Sequence, residues 1–134
     1  MLTIHTPIPG IAGRRCVQLL CQQVWHSGVL AGEVNAILMR LEDGSWHKIF
    51  FDCGVLFWKA MPSITDTRIT DDFHYPCVDL FPKMPVRDCD VVDVTTSDFG
   101  GTAELRIRFS GGRVLVLREK ADEMEIAYEV YPSA

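Results

Sequence analysis

The sequence predicts a mainly β fold, in which antiparallel hairpins form a two-layer sandwich or a barrel-like sheet. Three observations carry that expectation. Glycine-centred turn signals are frequent, and the segments between them are short and rich in β-branched and aromatic residues. Within several segments apolar and polar residues alternate with a period of two. Finally, two hairpins can be laid over one another at an offset of 68 residues. At 134 residues the chain has the length of one domain, read as a single globular unit over 1–134. With 48% hydrophobic and 23% charged residues it is neither disordered nor of low complexity.

Residues 14–26 fit two descriptions. Val17, Leu20, Cys21 and Val24 have helical spacing, and His26-Ser27-Gly28 would end a helix. Val17, Leu19, Cys21 and Trp25 also alternate as a strand would. The parallel with the second half favours the strand. A helix there would change the class to α+β.

Next, Leu41-Glu42-Asp43-Gly44-Ser45-Trp46 reads as a hairpin turn, because Asp-Gly accepts the positive φ angles of a tight β-turn. Ile37, Met39 and Leu41 alternate before it, and Trp46 to Phe51 follow. Asp52-Cys53-Gly54 is a further turn, leading into Val55-Leu56-Phe57-Trp58. Residues 62–85 hold four of the seven prolines and read as an irregular connection or functional loop.

In the second half, a strand-like Cys89–Val94 precedes Leu105, Ile107 and Phe109, then Ser110-Gly111-Gly112-Arg113, then Val114 to Leu117. A two-residue Gly-Gly loop would set Phe109 opposite Val114 and Ile107 opposite Val116. Met124, Ile126, Tyr128 and Val130 then alternate with acids as a half-buried final strand. The offset of 68 matches Ile37 with Leu105, Met39 with Ile107, Leu41 with Phe109 and Gly44 with Gly112. The expectation is a pseudo-repeat of residues 14–58 and 87–130.

The net charge is −5 and is confined to the second half: residues 1–67 hold five basic and five acidic side chains, residues 68–134 eight and thirteen. No basic cluster suggests nucleic acid binding. An acidic surface suits solubility or a basic protein partner. Five cysteines, an odd number, and an N-terminus without a signal pattern point to reduced thiols in the cytoplasm. No apolar run approaches a membrane span.

Candidate chemistry is sparse. His74 and Cys77, with Cys16 and Cys21, have the residue types of a zinc site, but residues 16 and 21 would point to opposite faces of a strand. Buried, apolar-like cysteines are the better account. Trp25-His26 and Trp46-His47 repeat one dipeptide, read as a core tryptophan beside a histidine facing water. Cys53 could be a nucleophile, with His47 or His74 as base, although an Asp-x-Gly turn explains the same residues. Asp88, Asp90 and Asp93 lack the glycine and glutamate of a calcium loop and read as guards of a strand start. No phosphate loop, nucleophile elbow or Cys-x-x-Cys pair is present, and neither metal nor cofactor is expected.

The apolar surplus is more telling. Phe50-Phe51 and Leu56-Phe57-Trp58 place large residues on both faces of their strands, and Leu115 and Leu117 fall opposite Phe109 and Val114 in the two-residue-loop register. A second layer or a partner chain must cover them. Phe51, Phe57, Trp58, Leu115 and Leu117 are thus the interface candidates. The expected function is noncatalytic contact with a protein, either a second copy or a basic partner. The alternative is a small enzyme or ligand-binding barrel using His26, His47, Asp52, Cys53 and His74 in one cavity. Short strands with an acidic second half resemble, in composition, small intracellular β proteins such as the immunity proteins that neutralise bacterial toxins.

Overall fold

The computed structural model describes residues 2–63 and 72–132. Its strands are β1 (Thr3–Ile4), β2 (Cys16–His26), β3 (Val29–Leu41), β4 (Trp46–Asp52), β5 (Val55–Met61), β6 (Phe73–His74), β7 (Cys77–Asp79), β8 (Val91–Phe99), β9 (Thr102–Phe109), β10 (Arg113–Lys120) and β11 (Glu123–Val130). No helix occurs among the described residues. Residues 16–26 are therefore strand, and the α+β alternative falls away. The β-branched and paired polar residues of this stretch are better satisfied by a neighbouring strand than by their own turn.

Two sheets face each other as a sandwich, and no closed barrel forms. The larger has the order β1-β5-β4-β3-β2-β6, with β7 also on β2; the smaller is the meander β11-β10-β9-β8. Between them lie Leu19, Ile37, Met39, Ile49, Leu56 and Trp58 from one side and Leu105, Ile107, Phe109, Leu115 and Leu117 from the other. All are nearly inaccessible to water. Burial of this apolar area is the main stabilising term.

One register differs from expectation. Phe109 faces Arg113, Ile107 faces Leu115 and Leu105 faces Leu117, so the connection has three residues, Ser110 to Gly112. Ser110 is drawn out of the hairpin: its N–H donates to the Asp90 carbonyl (2.9 Å) and its Oγ accepts from the Asp90 N–H (3.0 Å). A one-residue slip moves every side chain to the other face. Leu115 and Leu117 consequently point into the core beside Phe109.

The back of each sheet is closed differently. On the smaller sheet, Val114 and Val116 are buried under Arg106, Arg118, Glu104 and Glu129, which form a lattice of ion pairs. On the larger sheet, Arg40 lies over Trp46, and Lys48 and Lys59 flank the stacked pair Phe50–Phe57. Long side chains cover apolar area with their stems while their charges stay in water.

The two meanders also share a register. Arg40↔Trp46, Trp46↔Met61 and Asp52↔Val55 recur 68 residues later as Arg108↔Val114, Val114↔Glu129 and Lys120↔Glu123. The first strands of both carry the same one-residue shift, after Cys16↔Leu41 and after Val91↔Phe109. Where the units meet, backbone bonds come in exchanged pairs. Cys16 N–H donates to Cys89 C=O (2.9 Å) and Val91 N–H to Arg14 C=O (2.8 Å); Gly13 N–H donates to Val91 C=O (2.7 Å) and Asp88 N–H to Cys16 C=O (2.8 Å). The bridge Arg15↔Asp90 sits at the centre of this pattern. Such reciprocity is what a twofold axis produces, here within one chain.

Equivalent residues are 75 apart in β2 and β8 but 68 apart in the later strands, so the β2–β3 hairpin carries seven residues more than β8–β9. That surplus forms an arm. β3 pairs with β4 only from Ile37 onward, and β2 is the strand partner of its outer part.

Candidate functional site

The residues suspected of chemistry are dispersed. His47 lies on the core face of β4, only 4% exposed, because alternation with the buried Trp46 turns it inward. The expectation of a water-facing histidine is thereby corrected at His47, where both members of the Trp46-His47 pair are buried, one on each face, whereas His26 is exposed as expected. His47 Nδ1 accepts the indole N–H of Trp58 at 2.8 Å, and its Nε2 lies 3.1 Å from Ser45 Oγ. Ser45 Oγ in turn donates to Asp43 Oδ1 at 2.6 Å. An indole N–H can only donate, so Nδ1 must be the unprotonated nitrogen and the hydrogen resides on Nε2. The arrangement contains Ser, His and Asp, yet runs the wrong way for catalysis. Its histidine gives a hydrogen bond to the serine and has no lone pair left to take a proton from it. Burial, opposed in part by the Asp43 charge, holds the imidazole below its ordinary pKa.

Asp52, Cys53 and Gly54 occupy the β4–β5 turn, where Cys53 and Gly54 have φ of 50° and 78°. The Cys53 thiol is exposed, and its pKa is raised, first by a hydrogen bond to Asp52 and then by the charges of Asp52, Asp122 and Glu119. A nucleophilic thiol needs the opposite field. His26 and His74 are exposed on the arm: the His26 ring lies tilted against Phe73 with ring centres 4.7 Å apart, and His74 pairs with Trp25. Four clefts among the described residues are lined by none of His26, His47, Asp52, Cys53 and His74.

Cys16 and Cys21 both face the core, since the shift between Cys16 and Gln18 lets strand positions of unlike parity share a face. Burial pushes their thiols up to about 12 and about 11. Among the described residues no three His, Cys, Asp or Glu side chains are placed to hold a metal ion. Nor is any helix long and apolar enough to cross a membrane.

Of the interface candidates, Phe51, Trp58, Leu115 and Leu117 are core residues, each at most 3% exposed. The opposite sheet covers them. Phe57 alone is half-buried, stacked on Phe50 and near His5 at the β5 edge.

A group of exposed apolar residues lies on the arm. Val29 is 67% exposed, and Leu30 and Phe73 are about two-fifths exposed. β6 pairs along the outer edge of β2, joining Phe73 to His26, so the arm carries an aromatic and aliphatic strip on more than one face. The turns of the other tip-end hairpins gather at the same end of the sandwich. There Gly54 N–H donates to Glu119 Oε1 at 2.6 Å, tying the two sheets together. Gly54, Asp98, Glu119 and Asp122 line a cleft of about 250 Å³. Phe99, 87% exposed, projects from the β8–β9 tip. This end is therefore acidic and apolar at once. No sequence signal marked the arm, because its length is legible only against the shorter hairpin that repeats it.

No protein-family model, curated protein or solved structure is significantly similar to this chain.

Proposed function

We propose that the protein is a noncatalytic β-sandwich module that works by binding another protein through the tip end, with the β2–β3 arm as the principal contact. One observation carries this reading. On a body whose sheets are both closed, the arm overshoots its internal counterpart and leaves Val29, Leu30 and Phe73 in water. Clustered exposed apolar residues on a soluble domain mark contact sites. Aromatic side chains are favoured anchors.

The exposed carboxylates of Asp52, Asp98 and Asp122 at the same end favour a basic partner surface. They would repel one another across a symmetric contact, which argues against a second copy at this site. The dispersal of the histidines and the raised pKa of Cys53 speak against the enzyme alternative. Five free thiols suit a cytoplasmic setting.

Affinity capture with the full chain, beside light scattering of the purified protein, tests the proposal. A basic protein should be recovered by the wild type and lost with Leu30→Asp or Phe73→Ala, while Phe57→Ala leaves recovery intact. A salt-insensitive homodimer, or a strict monomer that recovers nothing, contradicts it.

A further inference from the structure

At the end opposite the arm, the turn Ser110 to Gly112 and the chain after β11 enclose a second cleft of about 430 Å³, large enough for a small organic molecule. Arg106, Arg108 and Arg113 line it, with Val92, Tyr131 and Pro132 as its apolar wall. Two of the three guanidinium groups are already occupied. Arg106 is held by Glu104, Glu129 and the Tyr131 hydroxyl, and Arg108 by Asp93. Arg113 is different. Among the described residues it takes part in none of the ion pairs, and its Nε is the one buried side-chain nitrogen or oxygen with no hydrogen-bond partner.

The internal repeat shows what is missing. The counterpart of this turn is Asp43-Gly44-Ser45, where the Asp43 carboxylate accepts from Ser45 and pairs with Arg14. In the second unit Gly111 stands where Asp43 does, and Arg113 where Ser45 does. The second turn thus lacks the first turn's acid and carries a cation two residues on. Gly112 keeps the site in shape. Its carbonyl accepts the Tyr131 N–H at 2.6 Å, and a Cβ on it would lie 2.2 Å from the Tyr131 carbonyl oxygen.

We infer that this cleft is an oxyanion site, in which the Arg113 guanidinium, lining the cleft and in none of the ion pairs among the described residues, grips the carboxylate or phosphate of a small organic molecule whose apolar part lies against Val92, Tyr131 and Pro132. A guanidinium edge offers two parallel N–H donors, a match for two oxygens of one such group. A guanidinium held at the cleft without a carboxylate partner gains its counter-charge from such a ligand. The site is independent of the arm, so its failure leaves the proposed function standing.

Titration of the full chain, followed by amide and arginine Nε–H signals in NMR spectra, tests the inference with benzoate and phenyl phosphate as probes and neutral benzamide as control. Saturating shifts at Gly111, Gly112 and the Arg113 Nε–H are expected with at least one of the two anions, and none with benzamide. Whichever of the two anions saturates identifies the preferred oxyanion. Arg113→Gln should weaken binding at least tenfold. Arg113→Lys, which keeps the charge but lacks the fork, should weaken it also, and serves if the glutamine variant does not fold. No saturating shift with either anion up to about 50 mM, weaker than a millimolar site, would overturn the inference. So would unchanged affinity in the variants, or equal binding of benzamide.

Discussion

His47 shows how much one buried side chain fixes. Trp58 Nε1 donates to its Nδ1 and Ser45 Oγ lies against its Nε2, so both ring nitrogens are committed only while the imidazole is neutral. A second proton would turn Nδ1 into a donor facing a donor. Its folded-state pKa lies below the ordinary 6.5, chiefly through burial. The unfolded chain therefore binds the proton more readily than the folded one. This contribution to stability is complete above about pH 6.5 and is lost as pH falls from there towards the depressed value, with a slope of at most about 1.4 kcal/mol per pH unit. Urea melts between pH 5 and 8 should show that slope in the wild type and lose it in His47→Gln, whose amide can still accept from Trp58. The paired carboxylates Asp93, Glu104 and Glu129, whose pKa values are lowered, act in a separate and more acid window.

For the single hairpin, register decides which residues are core. Leu117 faces Leu105 and is 1% exposed. Leu117→Ala should destabilise the protein by about 2–5 kcal/mol, the cost of emptying a core leucine site. In the register of a two-residue loop the same change would cost a fraction of that, and denaturant melts distinguish the two. What the sequence makes legible follows the same logic. Alternation located the strands, because Leu105, Ile107 and Phe109 declare a face by themselves. Turn chemistry located the turns, because Gly111, Gly112, Cys53 and Gly54 sit where φ is positive. Alternation could not show that Ser110 leaves the hairpin for Asp90, since that contact lies 20 residues away. It also could not show that His47 faces inward, because Trp46 and His47 are both credible core residues and only the opposite sheet chooses between them. The clefts were illegible for a related reason: Arg113 reads as a solvated charge until its buried Nε is seen.

Across the whole molecule, the two meanders close on one another about the Arg15↔Asp90 bridge, and the apolar residues that a single sheet would leave bare are hidden inside. The sheets exchange backbone bonds at one end and are tied by Gly54–Glu119 at the other. They should therefore unfold as one unit. Tryptophan fluorescence reports the larger sheet, which holds Trp25, Trp46 and Trp58; the hydrogen exchange of β9 and β10 amides reports the smaller. Coincident free energies from the two are expected, and a smaller sheet that opens separately would show the halves to be independent. The same symmetry isolates function. What the repeat shares is framework, and what one unit has alone is the arm and, at the other end, Arg113.

Contact through the arm can be trapped by placing a photoreactive side chain at position 30, and separately at position 57, in the full chain within its native cells. A discrete protein adduct that weakens at high salt is expected from position 30, and none from position 57. Adducts from position 57 alone, or equal labelling from both, would contradict contact through the arm.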